Sequence, residues 1–112
     1  MHLTPDILRA CYAFLRETPP FRRWKLPRPD SIKFRVVSMK DCFGQYEGAG
    51  QEHQIDISGA RISHTENLIK TMAHELCHLR TYMLDKTVTH GAKFERLKRQ
   101  VCKQHGWDFK EL

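Results

Sequence analysis

Apolar residues recur along this chain with two different periods, and the periods predict its elements. Between Thr4 and Pro19, Ile7, Leu8, Cys11, Phe14 and Leu15 fall at helical spacing. Thr4-Pro5-Asp6 ahead of them is a helix start, with a capping hydroxyl, a first-turn proline and an acid, and Pro19-Pro20 ends the helix. From Ser31 to Met39 the period changes to two, with Ile32, Phe34 and Val36 alternating against Lys33 and Arg35. Phe43 to Tyr46 and His53 to Ile57 read as two further strands, joined across Gly48 and Gly50 by a loop longer than two residues. The second of these also alternates, with Ile55 and Ile57 on one face and Gln54 and Asp56 on the other. Ser63-His64-Thr65-Glu66 is a capping box, and it opens a helix whose core stripe is Leu68, Met72, Leu76, Leu79 and Met83. Gly91 to His105 reads as a third helix with Phe94, Leu97 and Val101 inward and Gly106 placed to end it. Helix, three strands, helix, helix is an α+β order in two layers, and the sheet is expected to be of antiparallel type.

Composition narrows the class without changing this outline. A chain of 112 residues, 40% hydrophobic and 29% charged, suits one domain, residues 1–112. No segment approaches the roughly 18 apolar residues of a spanning helix, and Arg9 and Arg16 interrupt the N-terminal apolar run. A signal peptide and a membrane anchor are therefore not expected, and the location expected is cytoplasmic (nuclear in a eukaryote), not secreted. Cys11, Cys42, Cys77 and Cys102 form no CxxC pair, which excludes a zinc ribbon and fits four reduced, mostly buried side chains. The net charge of +6 is uneven. Residues 1–30 carry six basic and three acidic side chains, residues 31–84 six and six, and residues 85–112 seven and four. Basic ends around a neutral middle suit a polyanionic partner, and they also serve solubility.

Residues 73–79, AHELCHL, place His74, Glu75 and His78 inside an otherwise apolar helix. Such groups are costly to bury without partners. Residues four apart project from one helix face, so His74 and His78 can converge on one tetrahedral ion. Glu75 beside them is not a ligand but can take a proton from water that the ion activates, the HExxH arrangement of metallopeptidases. A third ligand has to come from downstream. Leu84 and Thr81 rule out the HExxHxxGxxH pattern, leaving Asp85, His90 and Glu95. His90, just before the third helix and followed by a glycine, is favoured over Glu95, which suits the first turn of that helix electrostatically.

HELCH followed by HGAKF resembles the SprT-like metallopeptidases, whose zinc site is HExxH plus a later histidine in an HGxxF-type motif. YEGAGQEHQIDIS, residues 46–58, is similar to the hairpin and strand before the HExxH helix in Spartan-type proteases. The resemblance covers residues 40 to 98 well and the N-terminal helix and LPRP segment loosely. It implies a zincin-like minimal domain holding one zinc ion per chain on His74, His78 and His90, with Glu75 as catalytic base. It also implies proteolysis, often of proteins bound or crosslinked to DNA. The spacer from His78 to His90 is short for the family, and no zinc ribbon or partner-binding tail is present in this sequence.

The substrate side is read from the residues themselves. The strand at 53–58 is expected to be a sheet edge beside the metal, where an extended peptide adds along His53, Gln54 and Ile55, with a plain interior strand as the alternative. Tyr46 and Tyr82 are candidate oxyanion donors, although each serves as readily in packing. FRRWKLPR interleaves Phe21 and Trp24 with Arg22, Arg23, Lys25 and Arg28, a single-strand-binding chemistry for structured or single-stranded DNA. Its bland alternative is a solvated face with Trp24 in the core. Three functions follow: a monomeric zinc peptidase acting near DNA, a zinc peptidase with an unrelated protein or peptide substrate, and a catalytically idle DNA-binding module with structural zinc. The intact Glu75 argues against the last, because a structural site needs no base.

Overall fold

Thr4 begins the first helix by accepting the Ile7 N–H on its hydroxyl at 3.2 Å. In a computed structural model, which describes residues 2–62 and 64–112, this helix, α1, spans Pro5–Arg16. It buries Leu8, Tyr12 and Leu15, while Ile7 and Phe14 of the same apolar set stay exposed. The connector after it folds as two short 3-10 turns, Phe21–Arg23 and Pro29–Ser31. Phe21 and Trp24 turn inward from it and meet edge to face at 4.9 Å, as part of the core.

Strands β1 (Ile32–Val37), β2 (Gly44–Ala49) and β3 (Glu52–Ser58) form a sheet in the order β1-β3-β2. The expected antiparallel sheet is therefore corrected to a mixed one. β3 pairs antiparallel with β2 but parallel with β1, Phe34 standing opposite Ile55. Alternation reports which face a side chain takes and carries nothing about the direction of the neighbouring strand. Ala49 pairs with Glu52, so the hairpin turn is only Gly50-Gln51, two residues where a longer loop was expected. Gly50 at φ +62° supplies the left-handed first position that a type II′ turn requires.

The position of β3 is a second correction. It is the central strand, not the edge, and residues 55–58 are buried on both faces. Asp56, on the face opposite Ile55 and Ile57, is 1% exposed because three neighbours cover it. Arg35 of β1 donates to both its oxygens at 3.0 and 2.9 Å, Gln45 of β2 donates at 3.0 Å, and Gln54 of β3 at 3.1 Å. One carboxylate thus ties all three strands together.

The helices cover the other face. The second helix, α2 (Thr65–Asp85), is preceded by His64, whose side chain makes no capping hydrogen bond; Ser63 of the expected capping box lies outside the described residues. Leu68, Met72, Leu76 and Leu79 are buried as the stripe predicts, and Met83 is partly so. α2 approaches β2 closely enough to demand glycine there. A Cβ on Gly44 would lie 3.1 Å from Thr71, and one on Gly48 would lie 2.8 Å from the Tyr82 ring. The third helix, α3 (Ala92–His105), ends at Gly106 with φ +72°, as its sequence predicts. No helix of the described residues is long and apolar enough to cross a membrane.

Burial alone would raise the Asp56 carboxyl, but hydrogen bonds from Arg35 and Gln45, the Arg35 charge and Gln54 outweigh it and hold it below the usual carboxylate range. Its contribution to stability is then present at pH 7 and is lost as the pH falls below the unfolded value, about 3.9, through the lower folded one. Asp56→Asn should cost about 1.5–3 kcal/mol at pH 7, the range for hydrogen bonds to a charged group. Urea unfolding at pH 7 and in acid checks this: the gap between wild type and variant should narrow in acid, and an unchanged gap would count against it.

Candidate metal centre

α2 places His74 and His78 one turn apart, and both emerge beside the loop between α2 and α3. That loop is held by Asp85, which accepts from the Thr87 backbone N–H at 3.0 Å and pairs with Lys93 at 3.0 Å. It carries His90 back over the helix. The three ring centroids stand 5.0 Å (His74–His78), 5.2 Å (His74–His90) and 4.8 Å (His78–His90) apart. One ring nitrogen from each lies within 4.8 Å of the others. Glu95, the alternative ligand, points away to Arg99 at 4.0 Å on the exposed side of α3, and Asp85 is engaged as just described.

Two observations test whether this trio suits a cation. His74 Nδ1 lies 2.7 Å from the Leu112 backbone oxygen, which can only accept, so Nδ1 carries the proton and the Nε2 lone pair is free. The Nε2 atoms of His78 and His90 face each other at 3.0 Å. Two nitrogens sharing one tetrahedral zinc at about 2.0–2.1 Å would stand roughly 3.3 Å apart. The arrangement fits, and the three histidines can hold a metal ion. Burial works against protonation of two of the three: it brings His78 down to about 3, with His74 and His90 adding to the effect. It lowers His74 as well, against the Leu112 backbone oxygen and with help from His90 and Lys98.

Phe94 makes the floor. Its ring lies 5.0, 4.4 and 4.6 Å from those of His74, His78 and His90, so one α3 side chain packs against all three imidazoles. The sequence identifies Phe94 as an inward residue, but its contact with every ligand emerges only when the helices are packed. Gly91 proves ordinary. A Cβ there would be 3.4 Å from Thr89 Oγ1, so the backbone near His90 does not require glycine.

Glu75 is 2% exposed, and its Oε1 has no hydrogen-bond partner among the described residues. Burial pushes its carboxyl up to about 8, with a smaller push from the Asp56 charge. Together with His74 it lines a cavity of about 410 Å³. Cys42, Phe43 and Gly44 at the start of β2 form one wall, and Lys70 and Thr71 of α2 another. A buried, unpaired carboxylate opening onto a cleft beside a cation site has the position of a proton acceptor.

Other expected site residues lie elsewhere. Tyr46 shares a 2.5 Å hydrogen bond with His53 Nδ1, and the Tyr82 hydroxyl donates to the Gly50 carbonyl at 3.3 Å. Both are core tyrosines tied to the hairpin, and neither lines the cavity beside Glu75. Ile55 is fully buried and Gln54 is bound to Asp56, so the central strand cannot take the added peptide expected of it. The free edge on the metal side is β2. In the basic connector, Arg22, Arg23, Lys25 and Arg28 are exposed, and among the described residues none lies within 4 Å of an acid. Trp24 is 5% exposed and accepts from Arg80 on its carbonyl at 2.9 Å, so its indole is a core group with no face for a base.

No curated protein matches the chain. A family model does, and it spans residues 13–111, well beyond the stretch that carries the HELCH and HGAKF motifs. With nearly the whole chain matched, the protein belongs to the SprT-like family, whose members are metallopeptidase-like.

Proposed function

We propose that the chain is a zinc-dependent endopeptidase in which Glu75 is the general base and His74, His78 and His90 hold the ion. The observation that carries this is the buried Glu75 carboxylate, unpartnered at Oε1, opening onto a cleft beside three converging imidazoles. Zinc in such a site supplies Lewis acidity, polarising a carbonyl and acidifying water. Glu75 takes the proton of the water that attacks the scissile carbonyl. It then gives that proton to the departing amide nitrogen as the C–N bond breaks. A positive charge at the imidazoles draws the raised Glu75 carboxyl back down, so that it is ionised when it must accept. An extended substrate fits the outer edge of β2, whose first residue, Gly44, lines the cavity; main-chain pairing there holds the peptide straight across Glu75.

For the partner we favour DNA-associated protein, supported by the exposed Arg22, Arg23, Lys25 and Arg28. One observation favours a substrate unrelated to DNA: with Trp24 in the core, these cations lack the aromatic partner of a single-strand site.

Three measurements separate these points. Metal content of His90→Ala should fall towards zero while Glu95→Ala stays loaded, and the reverse result would reassign the third ligand. Glu75→Gln should retain fold and zinc but lose about 10²–10⁴ in peptide hydrolysis, the usual loss with a general base; near-normal turnover would exclude Glu75 from that role. Replacing Arg22 and Arg23 together by alanine should weaken DNA binding and reduce the salt slope by about 0.7 per lost phosphate contact on single strands. Unchanged binding would leave the peptidase reading intact and remove DNA from it.

A further inference from the structure

After α3 the chain returns to the metal centre, and side chains of the return are gripped on the way. Trp107 stacks on His105 at 4.7 Å and lies beneath the Lys70 ammonium at 5.9 Å. Asp108 caps the 3-10 turn Phe109–Glu111 by accepting the Lys110 N–H at 2.9 Å. Phe109 sits under two cations of α3, Lys98 at 4.2 Å and Arg99 at 4.8 Å. The Glu111 carboxylate pairs with Lys70, which also reaches Glu66 at 2.9 Å. Leu112 packs partly buried against the core, and its backbone oxygen accepts a hydrogen bond from His74 Nδ1–H.

Lys70 and His74 are one turn apart on α2, so successive turns of that helix hold successive residues of the returning segment. We propose that residues 107–112 are the positioning element of the metal centre: the Leu112 backbone oxygen fixes the tautomer and ring plane of His74, and Phe109 and the Lys70–Glu111 pair fix that oxygen. A histidine bound to a metal through one nitrogen is held in place by what its other nitrogen donates to. For His78 no such group exists among the described residues, since its Nδ1 is buried without a partner. His90 stands on an exposed loop. His74 is therefore the anchored ligand of the three, and its anchor lies 38 residues away in sequence. The same segment walls the cavity through Glu111 and Leu112, so it shapes the cleft while it sets the ligand.

The proposal rests on the three-histidine site and is tested on the full chain by zinc affinity, read by chelator competition, with no assay of hydrolysis. Phe109→Ala/Glu111→Gln should lower affinity by about tenfold or more, the low end for losing such an outer group. Glu111→Gln alone should lose less, and Lys110→Ala, in the same turn but with no side-chain partner among the described residues, should bind as wild type. Nuclear magnetic resonance gives a second readout. The His74 Nδ1 proton should be slow to exchange in the parent and fast in the double variant. A folded double variant that keeps both its affinity within twofold and the slow proton overturns the proposal. Should the double variant be unfolded by circular dichroism, Glu111→Gln decides by the same criterion. A parent chain with no zinc at the three histidines would bring down the peptidase reading and this one together; a loaded parent with indifferent variants brings down this one alone.

Discussion

A single helix has to be both the spine of the core and the bearer of the chemistry. In a chain of 112 residues there is no second core on which to mount a site. α2 therefore buries Leu68, Met72, Leu76 and Leu79 on one side while Glu75 and His78, on intervening positions, are buried too. Burial without a full set of hydrogen bonds is unfavourable for both, and it appears as a raised carboxyl and a depressed imidazole. A cation held on the Nε2 side would favour the ionised carboxylate, while the unpartnered Nδ1 of His78, on the other side of the ring, would remain a cost. The same burial that costs stability disfavours the charged forms of His74 and His78.

That helix can be placed only if the sheet beneath it is rigid, and the rigidity comes from the opposite face. Asp56 accepts from side chains on all three strands, so β2 cannot slide along β3 without breaking the Gln45 bond. Register matters because Gly44 and Gly48 must lie under Thr71 and Tyr82; a slip of one residue would bring Gln45 or Glu47 there instead. The carboxylate on the open face thus fixes the distance between β2 and the site helix, and with it the width of the cleft.

Local features were legible in the sequence, and features that depend on how elements meet were not. The caps at Thr4 and Gly106, the α2 stripe and the HELCH pair follow from period and residue type alone. His90 was preferred over Glu95 in the sequence because imidazole suits zinc and Glu95 suits the first turn of α3; the fold brings His90, and not Glu95, beside the other two histidines. Strand order was not. The alternation of Ile55 and Ile57 against Gln54 and Asp56 is identical for an edge strand and for a central strand whose outer face is roofed by Arg35 and Gln45. Nor could Phe94 be seen as a common floor for three imidazoles, or Leu112 as the partner of His74, since neither contact leaves a mark on local pattern.

Trp24 shows how composition misleads when an aromatic sits among cations. The spacing in FRRWKLPR suits stacking between phosphate contacts, yet the connector needs Phe21 and Trp24 to cover the core, and its cations are exposed because the aromatics point the other way. Burial of the rings and exposure of the charges are one event. A surface so made can neutralise phosphates but cannot stack unpaired bases, so any affinity it confers is electrostatic and blind to sequence. On the proposed reading, selectivity among substrates then has to arise at the cleft, from what a chain must do to lie extended along β2 and reach Glu75.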